Sequence, residues 1–405
     1  MPLHLDLRQL GVILEDDGDL VEQPVADGLD RRLGGGELHL FEDDDVPLLD
    51  AIAFDTDIPA AVLVTLTIPA SGFLRTETVS PSGTGRLGLE VDGTIVEEAL
   101  YRPMSEGQAA PSALVAMVTV PSGHHVLRIR RRVDDLTTGS RFLVGDTVDG
   151  VRMEKIFHVD LAASSMGPQA ESPPPGRIKS LVATLRSEGA VLSGLHVPLV
   201  SAQDDDGRTR GSAQLFIGDD RIEAALGASE ALERAASLLW ISPYPPGASI
   251  TVGAGRGGQG PLLFPRGARL FAASFRSSPD VPAPPPVRVT GAPHAAPGTT
   301  TVVARMPWHA TVATRALLAA SLARVYSARD GGSGFITLRC DDEIVSRVFF
   351  QSQGKGVGQG VSLFALATLP PGPHTITLEL ESRLGEVVSG DDAQSCSALT
   401  ALPLR

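Results

Sequence analysis

Lysine, cysteine and aromatic residues are scarce in this chain, and each scarcity bears on function. Lys155, Lys179 and Lys355 are the only lysines among 34 basic residues, and acidic residues outnumber basic ones to give a net charge of −14. Phosphate backbones are bound by clustered lysine and arginine, so this balance argues against nucleic acid as a partner. The two cysteines, Cys340 and Cys396, are too few for a disulfide framework or a structural zinc site. We therefore expect free thiols, a core position for Cys340, no metal and no other cofactor.

Long hydrophobic runs and a secretion signal are also missing. The longest apolar stretches, such as Ala60–Leu66 and Ala316–Ala320, are far shorter than the roughly 20 residues that cross a bilayer. Residues 1–19 lack the basic and then apolar order of a signal peptide. We therefore expect no membrane contact and a protein that folds in the cytoplasm of its host cell.

Glycine and proline, by contrast, are abundant and mark a repeated pattern. The 405 residues contain 43 Gly and 31 Pro, and about 150 residues per domain suggests two to four domains. A strand with apolar residues at every second position runs three times from a glycine into an Asp/Gly turn, which is typical of the first half of a hairpin. These segments are Gly85–Gly93, Gly211–Asp220 and Gly334–Asp342.

A second landmark follows each hairpin and keeps its register. It is a Pro/Gly turn that opens another strand, at Pro121–Gly123, Pro245–Gly247 and Pro370–Gly372. Proline-rich segments at Ser172–Gly176 and Pro282–Pro286 lie where one copy should end and the next begin, as stiff linkers do. The resulting division is an N-terminal arm at 1–45 and three repeats at 46–168, 177–277 and 287–405.

Many short strands separated by Gly/Pro turns predict an all-β protein with an N-terminal arm and three tandem, jelly-roll-like β-sandwich domains. One arrangement that we expect for the three domains is a pseudo-trimer. Ala228–Leu239 has Ala, Leu and Glu at helical spacing, so we expect a short inserted helix there. Ala310–Arg324, of similar composition, aligns with strands elsewhere and is expected to be one. Gly253–Gly258 matches the letters of a dinucleotide-binding loop, but Pro261–Pro265 disfavours the helix that must follow. We expect a flexible hairpin loop at these glycines.

Four residues are candidates for a ligand site or an interface: Tyr244, Trp308, His125 and His374. His374 occupies the position in the third repeat that His125 occupies in the first, and a recurring histidine at a strand start is best explained by hydrogen bonds to a turn. Metal binding or catalysis is the alternative, although the neighbours His124 and His125 point to opposite faces of a strand. Tyr244 and Trp308 are the rings that could stack on a sugar. No constellation typical of catalysis is found, so we expect no enzyme.

The strand–Asp–Gly–strand element and the later segment Pro371–Leu378 resemble the jelly rolls of the tumour-necrosis-factor and C1q type, and similar modules of bacteriophage virion proteins. The resemblance covers residues 46–405 and applies to each of the three repeats. It implies modules that commonly trimerise, so that three of them in one chain resemble a covalent pseudo-trimer. It also implies a place in a virion.

The function that fits these expectations is a non-enzymatic structural protein of a virion or similar assembly, most concretely a capsid decoration or cement protein. Its partners would be capsid or tail proteins, and copies of the same chain could also associate as a homo-oligomer. The arm at 1–45 could add a strand to a neighbouring subunit. The alternative is a receptor- or glycan-binding protein of the tail-fibre type.

Overall fold

The computed structural model consists of β-strands and connecting segments, and no helix occurs among the residues that it describes. Within that part, accordingly, no helix has the length and hydropathy needed to cross a bilayer. The predicted N-terminal arm lies mostly outside the described residues. These are residues 3–4, 31–33, 36–40, 52–68, 74–75, 84–103, 112–134, 141–144, 151–156, 160–168, 173–202, 210–227, 232–258, 262–276, 281–329, 332–352, 358–390 and 397–404.

The strands follow one another in three groups along the chain. The first group is β1 Leu3–His4, β2 Arg31–Leu33, β3 Gly36–Leu40, β4 Ile52–Thr56, β5 Ala60–Ile68, β6 Leu74–Arg75, β7 Thr84–Val91, β8 Thr94–Pro103, β9 Ser112–Val120, β10 Gly123–Asp134, β11 Arg141–Val144 and β12 Val151–Ile156. The second group is β13 Asp160–Met166, β14 Gly176–Arg186, β15 Gly189–Ala202, β16 Arg210–Ile217, β17 Asp220–Gly227, β18 Leu232–Pro243, β19 Ser249–Gly258, β20 Leu262–Leu263 and β21 Ala268–Arg276. The third group is β22 Val287–Arg288, β23 His294–Ala295, β24 Thr300–Ala310, β25 Thr314–Ser327, β26 Ser333–Cys340, β27 Glu343–Gln351, β28 Gln359–Leu369, β29 Gly372–Leu384, β30 Val387–Ser389 and β31 Ala398–Leu404.

One set of antiparallel pairings recurs in all three groups, which we call repeats 1, 2 and 3. The outer sheets have the orders β4-β10-β7-β8, β14-β19-β16-β17 and β24-β29-β26-β27. The inner sheets have the orders β12-β5-β9, β21-β15-β18 and β31-β25-β28. The expected all-β sandwich architecture is therefore confirmed.

An edge strand joins each inner sheet from the segment that precedes it in the chain. β1 pairs with β12, β13 with β21, and β22 with β31. The sequence division assigns β13 to the first repeat, whereas in the structure it pairs with the second. The domain boundaries otherwise stay a prediction.

Outer and inner strands differ in how many faces they bury. In the outer strand β24, buried and exposed residues alternate along the second half, because one face packs on a core and the other meets water. In the inner strand β25, almost every residue from Ala316 to Ala323 is buried, so the alternation disappears. Inner strands therefore pack against other elements on both faces.

In repeats 2 and 3, one face of the inner sheet fills the sandwich of that repeat, and the other face contributes to a cluster shared by the three repeats. In repeat 3, Leu318 of β25 packs in the sandwich core with Ile336 and Leu378. The neighbouring Leu317 points the other way, into the shared cluster. This shared apolar cluster consists of Val115, Ala190, Leu192, Leu239, Ile241, Phe271, Leu317, Ala319, Phe364 and Leu402. Because it draws on β9, β18 and β28, the corresponding strand of each repeat, the three sandwiches pack around one centre.

Polar contacts fasten the repeats to one another beside this cluster. Leu232–Arg234 of β18 pairs with Tyr101–Pro103 of β8, which joins the inner sheet of repeat 2 to the outer sheet of repeat 1. The hydroxyl of Ser362 in repeat 3 donates to the carbonyl of Ser237 in repeat 2 at 2.7 Å. The interfaces between repeats are thus both apolar and hydrogen-bonded.

The helix expected at Ala228–Leu239 is wrong, because its described part belongs to strand β18. Leu238 and Trp240 of β18 face the core of repeat 2, whereas Leu239 and Ile241 face the shared cluster. Burial on both faces produces a continuous apolar run, which sequence periodicity does not separate from a buried helix. The strand expected within Ala310–Arg324 is confirmed, since β25 covers most of it.

The flexible loop expected at Gly253–Gly258 is also wrong, because these glycines lie in strand β19. A Cβ at Gly255 would lie 2.4 Å from the carbonyl oxygen of Gly176, and one at Gly257 would lie 2.4 Å from the side chain of Gln214. The glycines therefore permit close packing within the sheet. The next described segment, β20 at Leu262–Leu263, is a strand rather than the helix that a dinucleotide-binding motif requires.

Candidate functional site

Candidate residues from the sequence gather at corresponding ends of the three outer sheets. Each end combines a hairpin turn with the start of the next strand after the Pro/Gly turn. His125 lies at this end of repeat 1, Tyr244 at that of repeat 2, and Trp308 and His374 at that of repeat 3. The structure thus places the four residues in equivalent surroundings, but their role as a ligand site or interface stays a prediction.

Asp92 fastens the hairpin turn of repeat 1 to the start of β10. Its Oδ1 accepts a hydrogen bond from the backbone N–H of Val126 at 2.8 Å, and its Oδ2 lies 2.7 Å from Nδ1 of His125. Nε2 of His125 donates to the carbonyl of Pro121 at 2.9 Å. We call Asp92, His125 and Pro121 the turn clasp of repeat 1. It realises the turn-bonding role expected for a histidine at a strand start.

Repeat 3 carries the same arrangement at Asp341, His374 and Pro370, the turn clasp of repeat 3. Oδ1 of Asp341 accepts from the N–H of Thr375 at 2.8 Å, and Oδ2 lies 2.9 Å from Nδ1 of His374. Nε2 of His374 donates to the carbonyl of Pro370 at 2.7 Å. The same three contacts therefore occur in two copies of the repeat.

Both clasp aspartates have a backbone conformation that side chains seldom adopt. The φ angle is 51° at Asp92 and 55° at Asp341, in the left-handed region. Aspartate is among the few residues that tolerate this region. Each carboxylate accepts a backbone hydrogen bond from the strand that starts after the Pro/Gly turn, β10 or β29, which fixes the turn against it.

The clasp histidines are fully hydrogen-bonded only as imidazolium ions, because both ring nitrogens face acceptors. The hydrogen bond to Asp92 raises the pKa of His125, and that to Asp341 raises the pKa of His374. The same hydrogen bonds lower the pKa of both aspartates. The clasps are therefore charged pairs with largely buried rings.

An aromatic ring covers each clasp from the first strand of the outer sheet. Phe54 pairs across strands with His125, with ring centroids 5.4 Å apart, and Trp308 occupies the same position beside His374. Trp308 is only 6% exposed, and its Nε1 has no hydrogen-bond partner in the described structure. A ring that stacks on a sugar needs an exposed face, which Trp308 does not offer.

Repeat 2 closes the corresponding end without an Asp–His pair. Gly218, with φ 58°, replaces the aspartate, and its N–H donates to the carbonyl of Thr251 at 3.0 Å. Ile250 replaces the histidine and pairs across strands with Leu185. The half-buried Tyr244 donates its hydroxyl to the carbonyl oxygen of Ile217 at 3.1 Å. Apolar packing, the phenol of Tyr244 and a hydrogen bond from Arg177 to the Gly218 carbonyl thus take the place of the clasp.

Cys340 distinguishes repeat 3 from repeat 1. It is the last residue of β26, where repeat 1 has Val91 and repeat 2 has Ile217. It is buried in the core of repeat 3, as the sequence predicts, and burial raises the pKa of its thiol to about 11. The sulfur, a carboxylate oxygen of Asp341 and a ring nitrogen of His374 lie within 4.8 Å of one another.

Another histidine lies in a triad-like arrangement between repeats 1 and 2. Nδ1 of His196 lies 2.6 Å from the hydroxyl of Ser237, and Nε2 lies 3.7 Å from Oε1 of Glu97. All three side chains are buried. Nε2 also donates to the carbonyl of Glu98 at 2.5 Å, across the junction of the two repeats. These contacts hold β8 against the inner sheet of repeat 2, and a buried hydroxyl offers no access to a substrate.

The sequence reasoning missed the clasp aspartates. A signal was present, because Asp and His occur together in repeats 1 and 3 and are lost together in repeat 2. Using it required the register of β19, in which Ile250 rather than Ser249 corresponds to the histidines.

Comparisons with known proteins identify no family for this chain: no family model matches, and no curated protein matches. Among solved structures, it is similar to the insecticidal delta-endotoxin Cry8Ea1 from Bacillus thuringiensis, with a TM-score of 0.22, 5% identity and coverage of 87% of this chain and 54% of that one. The chain thus spans about half the length of the toxin. It is also similar to PNGF-II, with a TM-score of 0.27, 9% identity and coverage of 80% and 99%.

A third similarity is to the structure of Sulfolobus Turreted Icosahedral Virus, with a TM-score of 0.17, 12% identity and coverage of 90% of both chains. TM-scores this low carry no argument about shared fold or function.

Proposed function

We propose that the chain is a non-enzymatic structural protein of a virion or a similar assembly, most concretely a capsid decoration or cement protein. The observation that carries the proposal is the shared apolar cluster, in which the inner sheets of all three repeats are buried together. It makes the chain one covalent block with three similar outer sheets. Such a block matches positions in a symmetric shell where three equivalent subunits meet.

The outer sheets supply the surfaces with which this block would contact its neighbours. Each carries arginine and glutamate side chains that hold one another in place: Arg130–Glu90 at 2.6 Å, Arg221–Glu223 at 3.1 Å and Arg339–Glu379 at 2.8 Å. Arginine is enriched and lysine depleted at protein interfaces, in keeping with the shortage of lysine. Side chains that are already ordered lose less conformational entropy on binding.

On this proposal the partners are capsid or tail proteins, and the chain is part of the virion after assembly in the cytoplasm of the host. A jelly-roll ancestry shared with bacteriophage virion modules is the finer form of the same proposal. The strand order common to the three outer sheets supports it, because one sandwich module present three times would give this order.

Mass spectrometry and cryo-electron microscopy of particles from the source organism test the proposal. We expect the chain in purified particles at a fixed copy number, with density of three sandwiches on the shell. Absence of the chain from every particle fraction would contradict the proposal.

A binding assay with stripped particles tests the surface. Arg130→Glu combined with Arg339→Glu should weaken rebinding at least tenfold, because both replacements put like charges beside glutamates on the outer sheets. Arg276→Glu, a single charge reversal on the inner-sheet strand β21, is the control for the single variant Arg130→Glu, and it should rebind as the wild type does. Equal rebinding of all these proteins would exclude the outer sheets as the contact surface.

A further inference from the structure

We propose that Cys340, Asp341 and His374 form a binding site for a thiophilic divalent cation, with Zn²⁺ as the reference ion. Thiolate, carboxylate and imidazole are three of the ligand types that zinc takes in proteins. The three ligand atoms all lie within 4.8 Å of one another. The inference is independent of the proposed structural function and departs from the sequence expectation of no metal.

The spacing of the three atoms is close to that of a tetrahedral site. Bonds of about 2.0–2.3 Å to zinc place neighbouring ligand atoms roughly 3.3–3.8 Å apart. The His374 Nδ1 to Asp341 Oδ2 distance of 2.9 Å lies just below that range, and the 4.8 Å limit on all three pairs lies about 1 Å above it. Side-chain rotations are enough to close these differences, so no strand has to move.

The orientation of the His374 ring is that of a metal ligand. Its Nε2 donates to the carbonyl of Pro370 at 2.7 Å, which leaves Nδ1 facing Asp341. Metal-bound histidines almost always donate their other N–H to a carbonyl or carboxylate in this way. In the neutral ring, Nδ1 directs a lone pair at a carboxylate, and either a proton or a metal cation has to lie between them.

The surroundings offer the cation both an entry path and a favourable field. The side chains of Cys340 and His374 are buried, whereas that of Asp341 is half-exposed, so a cation can enter past the carboxylate and keep a water molecule as its fourth ligand. The negatively charged side chains of Asp341 and Glu343 act on the thiol from nearby and favour the approach of a divalent cation.

The other repeats lack the complete ligand set. Repeat 1 retains the Asp92–His125 pair but has Val91 at the position of the thiol, so its clasp can bind a proton but lacks the third ligand. Repeat 2 has no ligand at any of the three positions. The proposal therefore predicts one site per chain, in repeat 3.

Cobalt titration of the full-length, chelator-treated protein tests the site, because a thiolate bound to Co²⁺ gives a charge-transfer absorption. We expect one Co²⁺ per chain with this band, and its loss when Zn²⁺ is added. Two cysteine variants test whether the thiolate of Cys340 gives the band. Cys340→Val should abolish the band without unfolding the protein, since repeat 1 has valine at the corresponding position. Cys396→Ser is the matched control and should keep the band. His374→Gln should weaken binding by more than the roughly 10–100-fold that loss of an outer-shell partner costs.

Two further variants keep the proposal open to refutation. Asp341→Asn preserves the side-chain shape in the left-handed turn and should weaken Co²⁺ binding. This variant tests the site independently, should the Cys340→Val protein fail to fold. Val91→Cys should add a second Co²⁺ with a thiolate band, because it completes the ligand set in repeat 1. Binding without a charge-transfer band, equal binding by wild type and the Cys340→Val protein, or no binding at millimolar Co²⁺ would each overturn the proposal.

Discussion

Repeats 3 and 2 turn the chain at the same place with different chemistry. Asp341 and Gly218 have nearly equal φ angles, 55° and 58°, and each donates its backbone N–H to a carbonyl of the strand that starts after the Pro/Gly turn, that of Thr375 in β29 and that of Thr251 in β19. Repeat 3 adds a charged pair with His374 under Trp308. Repeat 2 has Ile250 at the histidine position instead.

The comparison separates what the turn needs from what one repeat adds to it. The left-handed residue and its backbone hydrogen bond occur in both repeats, so they belong to the hairpin itself. The charged pair is absent from repeat 2, where the turn nevertheless forms. The clasp is therefore a local addition, whose contribution can be measured by removing it from one repeat and introducing it into another.

Asp92→Ala should have the largest effect, because it removes the acceptor for both Val126 and His125 and leaves the His125 ring buried beside an unfilled position. We expect a loss of about 2–3 kcal/mol in the free energy of unfolding, from two hydrogen bonds to a charged group. Urea unfolding followed by circular dichroism measures it. Asp55→Ala breaks the neighbouring exposed pair with His124 and should cost less than about 1 kcal/mol. Equal costs for the two variants would mean that the clasp adds no more than a surface ion pair.

Introducing the clasp into repeat 2 is the converse change. Ile250→His alone should cost about 2 kcal/mol, because a buried imidazole replaces an apolar side chain and lacks a carboxylate partner. Gly218→Asp added to it should recover at least half of that loss. A double-mutant cycle in urea measures the coupling. If the free-energy costs of Ile250→His and Gly218→Asp simply add, an aspartate and a histidine at these positions are not sufficient to build the clasp in a repeat that lacks it.

The stability of repeat 1 should also depend on pH in a way that repeat 2 does not share. The raised pKa of His125 makes its contribution complete below the unfolded-state pKa and lost as pH rises through the folded-state pKa. The lowered pKa of Asp92 makes its contribution present above the unfolded-state pKa and lost as pH falls through the folded-state pKa. The clasp therefore stabilises most at mildly acidic pH, with a slope above it of at most about 1.4 kcal/mol per pH unit.

Unfolding measured from pH 4 to 9 checks this dependence, with Asp55 and His124 as the other titratable groups that influence the pair. His125→Gln should flatten the curve above neutral pH relative to the wild type. An unchanged slope in this variant would assign the pH dependence to other groups.

The smallest effect is expected where repeats 1 and 3 differ, at Cys340. In the presence of a chelator, Cys340→Val should change stability by less than about 1 kcal/mol, because valine has a similar volume and already occupies the position in repeat 1. Cys340→Ser introduces a hydroxyl into the core and should cost more. Thermal unfolding of the two variants side by side measures the difference. A larger loss for valine than for serine would show that the thiol has a polar partner in the folded protein.

Much of the architecture could be predicted from the sequence where one face of a strand is exposed. Strands such as β24 alternate between buried and exposed residues, and their turns are marked by Asp, Gly and Pro. The equivalence of His125 and His374 was also visible, because both follow the same Pro/Gly landmark. The jelly-roll and bacteriophage resemblance stays a prediction.

The sequence misled where both faces are buried or where glycine permits close packing. β18 was interpreted as a helix, because a strand covered on both sides carries a continuous apolar run. Gly253–Gly258 was interpreted as a loop, although the absence of side chains serves tight packing between strands. Both errors concern contacts with residues far away in the chain.

By itself, the sequence determined the all-β class and the hairpin turns, because these depend on neighbouring residues and on local backbone preferences. The tertiary structure decided which strands share a face, how the three inner sheets bury one another, and that Cys340 and Asp341 meet His374. Those pairings depend on sheet register and on the packing of distant segments. A scarcity of cysteine therefore excludes a disulfide framework, whereas the chemistry of a single thiol depends on the side chains that folding places beside it.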